Sequence, residues 1–150
     1  MERRAFLAEL GAGAAVSAAI GDRLFAAELS AAEKANVKLI DEMYAAWTSL
    51  ELPAKISAFF TEDCLFRASV NAPVTKGFAG ILDDFKRVTT GGQRIEFKVI
   101  ETFAKGPVVV HDRSTRFVSP ERSREGRVVA AFVMKDGRIA EWTDYPVRGE

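Results

Sequence analysis

From Arg94 onward the sequence reads as sheet. Ile95, Phe97 and Val99 alternate with polar neighbours along Arg94–Phe103, and apolar-rich runs follow at Pro107–Phe117, Arg127–Met134 and Arg138–Tyr145. Period-two alternation buries one face of a strand and leaves the other to solvent. Between the runs stand Lys105-Gly106, the polar stretch Ser119–Gly126 and Asp136-Gly137. The last pair favours the positive φ of a two-residue hairpin. Ile100 falls out of phase, which predicts a bulge in the first run. Four runs joined by short turns predict an antiparallel meander.

The first half has helical spacing. Ser30-Ala31-Ala32-Glu33 is a capping box and places a helix start there. Val37, Ile40, Met43, Tyr44 and Trp47 then recur on one face of that helix. Leu52-Pro53 opens a shorter helix through Ile56, Phe59 and Phe60, with proline tolerated in its first turn. Cys64–Ser69 reads as a strand, Pro73 interrupts the chain, and Gly77 leads into a third helix carrying Ile81, Leu82, Phe85 and Val88, ended by Gly91-Gly92. Helices first and strands after predict an α+β domain with the helices on one face of the sheet.

Residues 1–28 differ from the rest. Arg3-Arg4-Ala5-Phe6-Leu7 precedes an Ala/Gly-rich stretch, Gly11–Ile20, with small residues at Ala26-Ala27. A basic start, a short apolar stretch and small residues are the order of a secretory signal, and the paired arginines give it a twin-arginine look. An uncleaved amphipathic helix is the other reading. Export to the periplasm or beyond is therefore expected, with residues 29–150 as the domain. The apolar stretch is too short and Gly-rich for stable membrane insertion. With 21 basic and 21 acidic residues there is no basic field to attract nucleic acid. Arg122, Arg124 and Arg127, interrupted by Glu121 and Glu125, read as a solvated loop rather than an anion patch. One cysteine, Cys64, permits neither an internal disulfide nor a multi-cysteine metal site, and its apolar neighbours predict burial. No Gly-rich phosphate loop occurs, so cofactor-free chemistry is the expectation.

Phe60-Thr61-Glu62-Asp63, then Pro73 and Gly77, then the ending Asp136-Gly137-Arg138-Ile139-Ala140-Glu141-Trp142-Thr143-Asp144-Tyr145 resemble limonene epoxide hydrolase and the SnoaL-like branch of the nuclear transport factor two-like superfamily. The resemblance runs from Ser30 to the end of the chain. It implies a cone-shaped, curved mixed or antiparallel sheet packed against three N-terminal helices. It also implies a pocket for a small hydrophobic organic molecule, and face-to-face sheet pairing as a route to a homodimer.

In the hydrolase family two aspartates flank an arginine, and a tyrosine and an asparagine hold the attacking water. By resemblance the arginine is Arg113 and the basic aspartate Asp144. The proton-donating aspartate falls on Thr115, while the water-holding tyrosine and asparagine fall on Phe66 and Ala68. Thr115 cannot donate a proton as a carboxylic acid does, so ordinary epoxide hydrolysis is expected to be poor or absent. Ketosteroid isomerase offers a second comparison. Its oxyanion-binding tyrosine falls on Tyr44, but its catalytic aspartate falls on Ala68.

Arg113, Asp144, His111 and Tyr44 are thus the candidate catalytic groups, with Thr115, Phe66, Trp142 and Phe117 as substrate-binding walls. Phe97 and Phe132 join those aromatics as core or lining. His111, Arg113, Thr115 and Phe117 alternate onto one face of their strand, and Trp142 and Asp144 share a face of the last. Arg113 must cross about two strand spacings of roughly 4.8 Å to reach Asp144, over the small side chains of Ala130-Ala131. A guanidinium there is expected to depress the Asp144 pKa. A lone His111 makes no metal site; it reads either as an acid/base group or as a tolerated core polar residue. The functional alternatives are acid/base hydrolysis, isomerisation or cyclisation, non-catalytic ligand binding, and a purely oligomeric module.

Overall fold

The computed structural model describes residues 28–148. The expected signal segment, Glu28 apart, lies outside the described residues. Helix α1 spans Ala31–Thr48, α2 Leu52–Phe59 and α3 Gly77–Thr89. The strands are β1 (Phe60–Arg67), β2 (Thr75–Lys76), β3 (Arg94–Lys105), β4 (Val108–Val118), β5 (Ser123–Lys135) and β6 (Arg138–Val147). They form one sheet in the order β2-β1-β6-β5-β4-β3. Every neighbouring pair is antiparallel except β1 with β6, which is parallel.

The capping box forms at Ser30: its Oγ accepts from the Glu33 amide at 3.1 Å, and its own amide donates to Glu33 Oε2 at 2.9 Å. The other Glu33 oxygen accepts from the Gly106 amide at 2.9 Å, so the helix cap also ties α1 to the β3–β4 turn. Ile40, Met43, Tyr44, Ala46 and Trp47 form the buried stripe of α1. Across the interface lie Phe132, Ile139 and Trp142 of the sheet. Gly77, at φ +80°, starts α3 where a Cβ would stand 3.2 Å from the Glu62 carbonyl oxygen. Asp136 and Gly137 take φ 52° and 72°, the hairpin their sequence predicts. The bulge expected at Ile100 is present: Val99 pairs with Arg113 and Glu101 with Asp112. A second irregularity in β5–β6 lets Ile139 and Trp142, three residues apart, both face inward.

The cone is not formed. The sheet is mixed, as one reading had it, but it stays open: its edge strands β2 and β3 do not pair with each other. Two residues of β2 are too few to carry the ladder round, and α3 fills the space instead, packing against β1, β2 and β3. Other boundaries move as well. The first strand begins at Phe60 rather than Cys64, and the polar stretch shortens because β5 begins at Ser123. Among the described residues no helix is long and apolar enough to cross a membrane.

Phe132 is wholly buried and contacts Tyr44, His111 and Trp142 ring to ring. Phe132→Ala is therefore expected to lower unfolding stability by about 3–5 kcal/mol, the cost of losing a core aromatic and leaving a cavity. Phe103→Ser, at a position 59% exposed, should leave the urea midpoint almost unchanged. Similar losses from both would show that the core lies elsewhere.

Candidate functional site

Strand register assembles the polar cluster. His111, Ala130 and Asp144 stand opposite one another across β4, β5 and β6, and Arg113 opposes Val128 in the next inward row. Ala130 is fully buried and bears only a methyl group, so the Arg113 side chain passes over it to β6. Its neighbour Ala131 is only half-buried and occupies the opposite face, so the bridge needs one of the two expected alanines.

Arg113 is 1% exposed. Its Nη2 donates to Asp144 Oδ2 at 2.6 Å, Nη1 to the Tyr44 hydroxyl at 3.0 Å, and Nε to Thr115 Oγ1 at 3.2 Å. Its guanidinium carbon also lies 4.9 Å from the Phe97 ring centre, 5.1 Å from that of Tyr44 and 5.7 Å from that of Trp142. Quadrupoles of these rings favour a cation at such distances. Trp142 Nε1 donates to the second Asp144 oxygen at 2.7 Å. Both carboxylate oxygens thus accept one protein hydrogen bond and keep lone pairs free.

Burial pushes the Asp144 carboxyl above its ordinary value, although Arg113 and the Trp142 hydrogen bond both pull it down. The shift is opposite to the depression expected from the Arg113 charge alone, because loss of water around the buried carboxyl outweighs that charge. Burial likewise raises the Tyr44 hydroxyl, so Tyr44 stays protonated. Its oxygen accepts from Arg113 and lies 3.2 Å from His111 Nδ1. The arrangement that uses most groups has Tyr44 donating to Nδ1, with the imidazole proton on Nε2, which is buried without a partner among the described residues. Burial and the nearby Arg113 charge lower the His111 pKa to about 4. His111 is therefore neutral near pH 7, and its ring bonds to Tyr44. The Cys64 thiol is buried and its pKa raised by that burial, which argues against a nucleophilic thiolate.

A cavity of about 380 Å³ opens beside this cluster. Arg113, Thr115 and Asp144 stand on its polar side together with Arg124, Glu125 and Arg127, and Trp47, Phe66, Phe97, Phe117 and Trp142 form the aromatic side. Four of the eight candidate residues' positions follow from β4 and two from β6. His111 and Tyr44 do not line the cavity. They sit behind Arg113, and Tyr44 instead borders a separate hollow between α1 and β3. Phe66 and Ala68, where the hydrolase family has its water-holding pair, give the cavity an apolar wall. Asp84, Arg87 and Val88 of α3 also reach it, as does Gly126 opposite Thr115. Sequence reasoning passed over these; the only available signal was that Asp84 and Arg87 are one helical turn apart on the side bearing Val88. Among the described residues no group of three or more His, Cys, Asp or Glu side chains could hold a metal ion.

The family profile of the SnoaL-like domain matches residues 40–142. Among solved structures, an LEH-like epoxide hydrolase from M. tuberculosis superposes with a TM-score of 0.68 at 18% identity, covering 77% of this chain and 84% of that one. A proposed polyketide cyclase from Xanthomonas campestris gives 0.68 at 20% identity, covering 77% and 92%. A proposed ketosteroid isomerase from Kribbella flavida gives 0.63 at 15% identity, covering 79% and 82%. At these identities the likeness is one of fold. No protein of curated function matches the sequence.

Removing Arg113 leaves Asp144 facing a buried hydrogen-bond gap. Arg113→Met is expected to cost about 3–5 kcal/mol of unfolding stability, whereas Arg127→Met, at the solvent-exposed pair with Asp112, should barely move the denaturation midpoint. Equal costs would contradict the buried network. His111 supplies a pH test. Its folded value lies below the unfolded 6.5, so its contribution is fully present above about 6.5 and is lost as pH falls toward about 4. The stability gap between wild type and His111→Gln should narrow through that window; a gap independent of pH would contradict the buried neutral imidazole.

Proposed function

The chain belongs to the SnoaL-like domain family within the nuclear transport factor two-like superfamily, and on that premise we propose that it binds a small, largely apolar molecule in the aromatic cavity and carries out cofactor-independent acid/base chemistry there. One observation carries the reading: Asp144 stands in the cavity wall with free lone pairs, a pKa raised by burial, and hydrogen-bond donors on the same wall. A carboxylate of raised pKa is a stronger base than an exposed one. Arg113 has N–H groups beyond the three it uses, and Thr115 accepts from Arg113 while its own proton is free. Asp144 would take a proton from carbon next to a carbonyl, and Arg113 and Thr115 would stabilise the charge developing on oxygen. Tyr44 holds the guanidinium from behind and is itself fixed by His111.

This geometry suits isomerisation or cyclisation better than epoxide opening. Opening an epoxide calls for a strong proton donor and an ordered water, and the positions that supply them in the hydrolase family are Thr115, Phe66 and Ala68 here. The order of residues 3–7 supports export of the folded domain as part of the same proposal.

Deuterium uptake at the acidic CH2 of 2-tetralone in heavy water tests the reading. Wild type should accelerate uptake over buffer, and Asp144→Asn should lower the rate by about 10²–10⁴-fold while still binding the ketone. The rate should also fall as pH drops through the raised Asp144 pKa, since only the ionised carboxylate acts as base. Binding of the ketone without acceleration would make the protein a carrier of such molecules rather than an enzyme.

A further inference from the structure

A second hollow, of about 460 Å³, adjoins the aromatic cavity and shares Arg87, Val88, Phe117 and Arg124 with it. Its remaining wall is Gln93, Val118, Ser119, Arg122 and Ser123. Three arginines face this space and, among the described residues, no acidic residue lines it. Arg87 is already paired with Asp84 on the next turn of α3. Arg122 and Arg124 form no ion pair among the described residues, unlike their neighbours Arg116, which lies 3.8 Å from Glu96, and Arg127, which is paired with Asp112. Of the nearby acids, Glu125 accepts from Ser114 and lines the inner cavity, while Glu121 lines neither space.

The Arg124 side chain and the backbone carrying Arg122 are held in place. Arg124 lies over the Phe117 ring, with its guanidinium carbon 5.1 Å from the ring centre, at the junction of the two spaces. The turn carrying Arg122 is closed by the Ser119 amide and hydroxyl, each donating to the Arg122 carbonyl at 2.9 Å, and by the Arg122 amide donating to Ser119 Oγ at 3.2 Å. A cationic cup without its own counter-charge, opening into an aromatic cavity, is complementary to a molecule that is anionic at one end and apolar at the other.

We propose that the outer hollow is an anion site and that the ligand is an amphipathic carboxylate. Its acid group lies between Arg122 and Arg124, and its apolar body extends past Phe117 toward Arg113 and Asp144. This rests on the cavity reading given above and names the substrate class for it. It also gives Arg122 and Arg124 a role distinct from that of Arg127, which the sequence placed with them in one solvated loop.

The test compares 2-naphthylacetate with its methyl ester by titration calorimetry on the full chain, using wild type and the double variant Arg122→Ser/Arg124→Ser. The acid should bind wild type about tenfold more tightly than the ester, a preference that shrinks at high ionic strength. The double variant should bind acid and ester equally, whatever ester affinity it keeps after losing Arg124 from the cavity wall, and an unchanged thermal midpoint shows that it is folded. Equal binding of acid and ester to wild type overturns the anion site and leaves the cavity standing. A preference for the acid that survives the double substitution places the anion elsewhere and also overturns it. Binding of neither probe overturns the anion site and the cavity reading together.

Discussion

A guanidinium with 1% exposure has to be neutralised and hydrogen-bonded, and this one is matched from three directions. Asp144 supplies the charge from β6, Tyr44 an oxygen from α1, and Thr115 an oxygen from its own strand. Each partner imposes a condition on the fold. The register of β4, β5 and β6 must set Asp144 within reach across Ala130; α1 must lie at the height that brings Tyr44 over β4; and the residue between must be small. The aromatic rings around the guanidinium fill the remaining space with faces rather than with further donors. Tyr44 in turn fixes the His111 ring, so a single buried charge organises residues on one helix and two strands.

Much of this frame was legible in the sequence because it depends on local chemistry. The Ser30–Glu33 cap, the Asp136-Gly137 turn, the out-of-phase Ile100 and the alternation that puts His111, Arg113 and Thr115 on one face of β4 all follow from near-neighbour rules, and each appears in the structure. Long-range arrangement was not legible. Parallel pairing of β1 with β6 joins residues some eighty positions apart, and nothing in either strand announces its partner. The cone expected from resemblance failed because β2 is too short to extend the ladder, a fact of two residues that no periodicity reveals. The sign of the Asp144 shift was missed for a related reason: sequence shows the nearby charge, while desolvation depends on everything packed around it. The approach of Asp84 and Arg87 to the cavity depends likewise on where α3 docks.

The cavity joins two chemistries. At its inner end a carboxylate and a guanidinium hold one another and leave hydrogen-bonding capacity toward the cavity. At its outer end two arginines have no paired carboxylate among the described residues. Phe66 and Ala68 give the cavity an apolar wall, and Thr115 places a hydroxyl beside the Arg113–Asp144 pair. On the function proposed above, Arg113 and Asp144 are the pair that would orient and deprotonate a ligand.

The central claim is that Asp144 is a buried carboxylate kept ionised by Arg113. Its ¹³C carboxyl resonance, followed through acid pH in wild type and in Arg113→Met, measures that directly. The account predicts titration above the ordinary 3.8 in wild type and a further rise once the guanidinium is removed. Titration at the ordinary value in both proteins would contradict it, because Asp144 would then be solvated and independent of Arg113.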